Sequence, residues 1–190
     1  MKILVIQPLT TAQISEILAL DRLCFGGFWS QDAYLREIAS PKSSLLALWV
    51  REIQQPSHSL NFKHQDLQAV GIGCLWSIVE EAHITLLGIH PDYRCQGLGE
   101  FLLSILLEDA VNRQLKWATL EVKTNNSVAI SLYEKFGFKI VGKRQRYYQK
   151  TGEDAFVLWY KGLDKLEFQQ NLTHRQQKNR LRLSRNYIFA

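Results

Sequence analysis

The chain has 190 residues, 46% of them hydrophobic and 22% charged, which is enough for one domain with a real core. No apolar run reaches the roughly 18–20 residues needed to span a bilayer. The opening run Met1–Gln7 meets Pro8 too soon for a signal peptide, so the reading is a cytoplasmic protein without a membrane span. Cys24, Cys74 and Cys95 make an odd number without Cys-x-x-Cys spacing, and the five histidines stand at no metal-ligand spacing to them. That argues for reduced thiols and against a metal site. The net charge of +5 is uneven: residues 163–190 hold six Lys/Arg against two Asp/Glu, whereas the first 162 are nearly balanced at 17 against 16.

In chain order, the run Met1–Pro8 reads as a first strand. Thr10 or Thr11 caps a helix through Phe25, with Ile14, Ile17 and Leu18 on its apolar face, ended by Gly26-Gly27. Ser30 caps a second, short helix to Ala39, stopped by Pro41. Ser44–Arg51 is a strand; the polar stretch 53–67 is an inserted hairpin loop; Leu67–Ser77 and Ala82–Ile89 are partner strands. A helix runs from about Gly97 to Asn112, then a strand over Trp117–Val122, and a helix over Asn126–Phe136 that Gly137 ends in the left-handed C′ position. Phe138–Val141 and Ala155–Tyr160 are the last strands. The order β-α-α-β-β-β-α-β-α-β-β makes an α/β layered fold, a central sheet with helices on both faces. The expected organisation is a domain over 1–162 followed by a basic tail, 163–190.

The most informative stretch is Arg94-Cys95-Gln96-Gly97-Leu98-Gly99, between an apolar strand and a long amphipathic helix. Glycines before a helix start leave backbone N–H groups and the positive end of the dipole open to a phosphate. By itself the pattern is equally a glycine-containing turn that opens a helix. The run Leu120-Glu121-Val122, then Asn126, then Leu132-Tyr133-Glu134-Lys135-Phe136-Gly137-Phe138 follows about thirty residues on.

Arg94, Gly97 and Gly99 in this spacing, with that run, resemble the acyl-CoA-binding loop and second half of the GNAT superfamily of N-acetyltransferases. The likeness extends over 82–160 and is closest to the branch that acetylates the N-terminal alanine of ribosomal proteins. It is looser over 1–50, where Phe28-Trp29-Ser30 is similar to a related aromatic-Ser element, and absent from 53–67 and 163–190. The resemblance implies a GNAT-type acyl-CoA N-acyltransferase fold, acetyl-CoA as cosubstrate, no metal, and a protein N-terminus as acceptor. It implies that Arg94, Cys95, Gln96, Gly97, Leu98, Gly99 and Glu100 cradle the diphosphate. Leu87, Gly88 and Ile89 would orient the thioester, Asn126 would bind the cofactor, Glu121 would be the base, and Tyr133 the acid that protonates the leaving thiolate. Two residues depart from the pattern: Cys95 fills a slot that is often basic, and Glu100 adds a negative charge beside the glycines.

Each assignment has a structural counterpart. Glu121 between Leu120 and Val122 is equally a partner for Lys123 on its own face. Tyr133, two helical turns after Asn126, is equally a core residue. Gly88 inside a strand marks a bulge or a close backbone approach. Tyr147 and Tyr148, before the last hairpin, are peptide contacts or ordinary strand aromatics. Deprotonating an α-amine of pKa about 7.8 costs about 1.1 kcal/mol at pH 7, against about 4.6 kcal/mol for a lysine. This favours an N-terminal amine without excluding lysine or a small amine. A Ser/His/Asp or Cys/His arrangement at motif spacing is missing, so direct attack on the thioester is expected. A CoA-binding, ribosome-associated protein without turnover is the rival from another class. The 163–190 segment could contact ribosomal RNA or an anionic membrane surface, stay solvated, or pack as a helix; Tyr187-Ile188-Phe189 is apolar enough to dock on a groove.

Overall fold

A computed structural model describes residues 1–53 and 67–190, so the hairpin expected over 53–67 falls, but for its two ends, outside the described residues. Among the described residues, eight strands and five α-helices follow in the order β1 (Lys2–Pro8), α1 (Ile14–Phe25), α2 (Gln31–Ala39), β2 (Ser43–Glu52), β3 (Gln68–Ile78), β4 (Glu81–Ile89), α3 (Leu98–Asn112), β5 (Trp117–Lys123), α4 (Ser127–Lys135), β6 (Lys139–Tyr148), β7 (Glu153–Lys161), α5 (Leu166–Leu183) and β8 (Tyr187–Phe189). The strands form one mixed sheet in the order β6-β7-β5-β4-β3-β2-β1-β8. The β4–β5 and β1–β8 pairs are parallel and the rest antiparallel.

The element order read from the sequence holds through β7. The first helix differs in its start: Thr11–Gln13 forms a 3-10 turn, closed by the Gln13 side chain accepting the Thr10 N–H at 2.9 Å, and α1 begins at Ile14. Ser30 caps α2, its hydroxyl accepting the Ala33 N–H at 3.2 Å. β6 runs to Tyr148, longer than its apolar start suggested, because its polar residues lie on an exposed edge strand where alternation is not enforced.

Helices cover both faces. On one, Ile17 and Leu20 of α1 and Tyr34 of α2 pack against Ala47, Trp49, Cys74 and Leu86. On the other, Leu103, Leu106 and Leu107 of α3 and Tyr133 of α4 pack against Ile84, Leu120, Val122 and Leu158.

Residues 163–190 are part of this core. Leu163, Phe168, Leu172, Leu183 and Tyr187 are buried, α5 runs back along α3, and β8 adds to the sheet beside β1. A buried Leu or Phe stabilises by about 1.5–3 kcal/mol. The apolar stripe therefore outweighs the charge that marked the segment as a tail, and the packed course prevails among those left open.

Candidate functional site

β4 and β5 pair only from Glu81–Ile84 to Trp117–Leu120 and then part. Beyond that point β4 stays on β3, with a register shift opposite Thr85, while β5 follows β7 through Lys123. A cleft opens between them, and the backbone of Leu87, Gly88 and Ile89 forms its β4 wall. Gly88 is a point of close approach rather than the bulge: a Cβ there would lie 2.5 Å from the Phe25 ring. The irregularity itself falls three residues earlier.

At the end of β4, Pro91–Tyr93 makes a 3-10 turn and the chain enters α3 through two left-handed residues, Cys95 (φ +60°) and Gly97 (φ +95°). The first intrahelical bond is the Phe101 N–H to the Gly97 carbonyl at 3.0 Å, so the amides before it point out of the helix end. Gly97 is needed for its positive φ, and a Cβ on it would strike the Arg182 guanidinium at 2.3 Å. A Cβ on Gly99 would meet Leu132 and Ile89 at 3.6 and 3.7 Å, ordinary contact, so the glycine leaves open room instead of relieving a clash. Outward amides, alternating handedness and that room fit a diphosphate.

The side chains of the loop are engaged elsewhere. Leu98 is in the core. Arg94 donates from Nε to the Ile89 carbonyl at 3.0 Å and lies by the Cys24 thiol, turned back along the strand. Gln96 donates to the Asp92 carbonyl at 3.1 Å and accepts from the Tyr187 hydroxyl at 2.5 Å. Cys95 is exposed. Glu100 is paired with Arg182 at 2.8 Å.

Glu121 sits where the cleft opens, with its side chain 7% exposed. Its Oε2 lies 3.3 Å from His83 Nε2 and its Oε1 lies 3.1 Å from Arg144 Nη2. Lys123, the partner foreseen on its own face, pairs with Glu153 instead. His83 Nδ1 lies 2.7 Å from the Thr119 hydroxyl, which donates to Glu81, so polar groups line this face of the sheet from Glu81 to Glu121. Tyr147 and Tyr148 close the ring. Burial raises both phenols, Tyr148 to about 12, and the nearby Glu121 charge adds to each.

Tyr133 is buried in α4 with its ring edge-on to Phe138 at 6.0 Å. Burial, with a smaller contribution from Tyr148, holds its hydroxyl well above the usual phenol range. Asn126 is the N-cap of α4, its Oδ1 accepting the Ala129 N–H at 3.2 Å, and the residue itself is exposed.

Across the cleft, the loop between α1 and α2 is tied down by buried Asp21, whose carboxylate accepts from the Phe28 N–H (2.5 Å), the Trp29 N–H (3.2 Å) and the Tyr34 hydroxyl (2.7 Å). This lines up Phe25, Phe28, Trp29, Trp76 and His83 with ring centroids 6.2–6.5 Å apart. Lys150, in the β6–β7 turn, donates to the Gly27 carbonyl at 2.7 Å and joins the two rims. Asp21, His83, Arg144 and Lys150 escaped the sequence reading. Asp21 alone carried a signal, a carboxylate on the apolar face of an amphipathic helix; the other three depend on strand register. Among the described residues, no group of three or more His, Cys, Asp and Glu is placed to hold a metal ion.

The model of the acetyltransferase (GNAT) family matches residues 14–138. The chain belongs to the GNAT acetyltransferase family. It is an N-acetyltransferase whose acyl donor is acetyl-CoA. A Bacillus subtilis (strain 168) protein, provisionally named a ribosomal protein bS18-alanine N-acetyltransferase, is 28% identical over 146 residues, covering 77% of this chain and 87% of that one. The ribosomal protein bS18-alanine N-acetyltransferase of Escherichia coli (strain K12) is 37% identical over 83 residues, 43% of this chain and only 56% of that protein's length. The crystal structure of the ribosomal-protein-S18-alanine N-acetyltransferase from Escherichia coli superposes with a TM-score of 0.67 at 23% identity, over 84% of this chain and 94% of that one.

Proposed function

We propose that this GNAT enzyme acetylates the N-terminal α-amine of a protein, an alanine of a ribosomal protein of the bS18 kind, in the cytoplasm. The observation that carries the proposal is the buried Glu121 carboxylate, held at the mouth of the β4–β5 cleft inside a ring of Tyr147, Tyr148 and Arg144. The names of the relatives in Bacillus subtilis and Escherichia coli support the same substrate.

The amine nitrogen attacks the thioester carbon directly, and Glu121 takes the proton that the ammonium must lose. In the structure one carboxylate oxygen already faces the His83 ring and the other the Arg144 guanidinium. Arg144, on an edge strand with its side chain 58% exposed, is the partner that can yield its place to the incoming ammonium. Collapse of the tetrahedral adduct breaks the C–S bond, and Tyr133 gives its proton to the departing thiolate. A phenol held above its usual range keeps that proton at neutral pH. A thiolate formed in the same desolvated surroundings becomes more basic for the same reason, so the transfer stays matched. We assign the amides of Gln96–Gly99 to the diphosphate and the β4 backbone at Leu87–Ile89 to the acyl arm. The RNA contact foreseen for 163–190 gains no support: Arg180 lies over Phe101 and Phe189, Arg175 over Phe136, and Arg182 on Glu100.

Thiol release from acetyl-CoA tests the proposal, using peptides with free Ala and other N-termini, each paired with an N-blocked peptide carrying an internal lysine. Turnover confined to free Ala-type N-termini is expected. Turnover of blocked lysine peptides alone, or of small amines alone, overturns the substrate assignment. CoA binding without any turnover supports the non-catalytic rival. Tyr133→Phe is expected to lower kcat by about 10²-fold with CoA affinity nearly intact. Glu121→Gln is expected to slow the reaction most at low pH, where deprotonating the amine limits.

A further inference from the structure

The diphosphate loop supplies little positive charge of its own. Cys95 brings a thiol rather than a basic side chain, Arg94 is turned back to the Ile89 carbonyl, and Glu100 puts an acidic residue on the first turn of α3. The cation found on the loop comes from the other end of the chain. Arg182, near the end of α5, lies flat across Gly97, with Nη2, Cζ and Nε at 2.3, 3.0 and 3.1 Å from where a Cβ would stand. One edge of the guanidinium, through Nη2, holds Glu100 at 2.8 Å; the side chain is 53% exposed, and a guanidinium has further N–H donors beyond that pair. Its position is fixed by neighbours in the same segment. The amide nitrogen of buried Asn179 donates to the Gly97 carbonyl at 3.2 Å, and Tyr187 donates to Gln96 at 2.5 Å.

We infer that Arg182 is a ligand of the diphosphate of coenzyme A, so that α5 and β8 form a second wall of the donor site. The inference rests on acetyl-CoA as donor and is independent of the acceptor. Glu100 cancels the Arg182 charge when no anion is bound and keeps the guanidinium turned toward the loop. A diphosphate placed on the outward amides meets a fork of donors already in place, the geometry that makes arginine a good phosphate ligand. Gly97 serves twice: its φ needs glycine, and only a residue without a Cβ lets Arg182 lie there.

The test measures CoA affinity by titration calorimetry, and turnover with acetyl-CoA against S-acetylpantetheine, which has the same arm and thioester without the diphosphate. The full chain is compared with Arg182→Gln and Arg182→Lys. Arg182→Gln is expected to weaken CoA about 10-fold, with Arg182→Lys in between, while kcat/KM for S-acetylpantetheine changes less than about 2-fold. The salt dependence of CoA binding should also become shallower. Equal losses with both donors would mean that Arg182 only braces the loop, and unchanged CoA affinity would remove it from the site; either result overturns the inference. If Arg182→Gln fails to fold, Arg182→Lys, which can keep the pair with Glu100, decides alone by the same donor comparison. A parent chain that binds no CoA overturns the acetyl-CoA reading and this one together.

Discussion

At Glu153 a single carboxylate gathers the Lys123 ammonium and the Asn125 amide, and these bonds hold its pKa at about 2 against an ordinary 4.5. Because the folded value is the lower one, the pair's contribution to stability is complete above about pH 4.5 and is lost as pH falls toward 2. Glu153→Gln should therefore flatten the pH dependence of urea midpoints within that window and leave it unchanged at pH 7–8. The three thiols also separate by surroundings. Burial pushes Cys24 and Cys74 up to about 11, whereas Cys95 is exposed on the loop. Iodoacetamide at pH 8 should modify Cys95 first, as peptide mass mapping would detect. Bound CoA should slow that modification, and prior modification should weaken CoA, since the residue adjoins the amides assigned to the diphosphate.

The loop between α1 and α2 keeps its shape through one buried carboxylate serving three donors. Asp21→Ala leaves the Phe28 and Trp29 amides and the Tyr34 hydroxyl without it, at a cost of about 2–4 kcal/mol. The expected result is a lower denaturant midpoint together with a raised KM for the peptide acceptor and little change in KM for acetyl-CoA. A parallel rise in both would place this loop at the donor site instead. The surroundings of Glu121 are hard to read in sequence because they are made of side chains from β4, β5 and β6 whose meeting depends on register. A one-residue slip of β5 would turn Glu121 to the core side. His83 and Arg144 look like ordinary strand residues until that register brings them to 3.3 and 3.1 Å from Glu121.

For the whole molecule, the segment after β7 is the main departure from expectation. Its composition is basic and its mean hydropathy low, yet Phe168, Leu172, Leu183 and Tyr187 close the core over α3. β8 also covers the edge of β1, which otherwise presents unpaired backbone. Truncation before Tyr187 should lower the melting temperature and promote self-association, measured by differential scanning and by light scattering. A fully solvated tail predicts no change in either.

Local pattern determined much of this protein. Apolar periodicity, the caps at Ser30 and Gly137, and the Arg94–Gly99 turn are short-range properties, and they carried the element order through β7, the helices on both faces and the family. Tertiary structure alone decided what those elements bring together. The partners of Glu121, the link from Lys150 to Gly27 and the Arg182 guanidinium on Gly97 join residues 23 to 123 positions apart. No local propensity encodes such meetings, because they are set by sheet register and by how the last helix packs. The same reason hid residues 163–190: charge is read residue by residue, whereas an apolar stripe has meaning only when a surface exists to receive it.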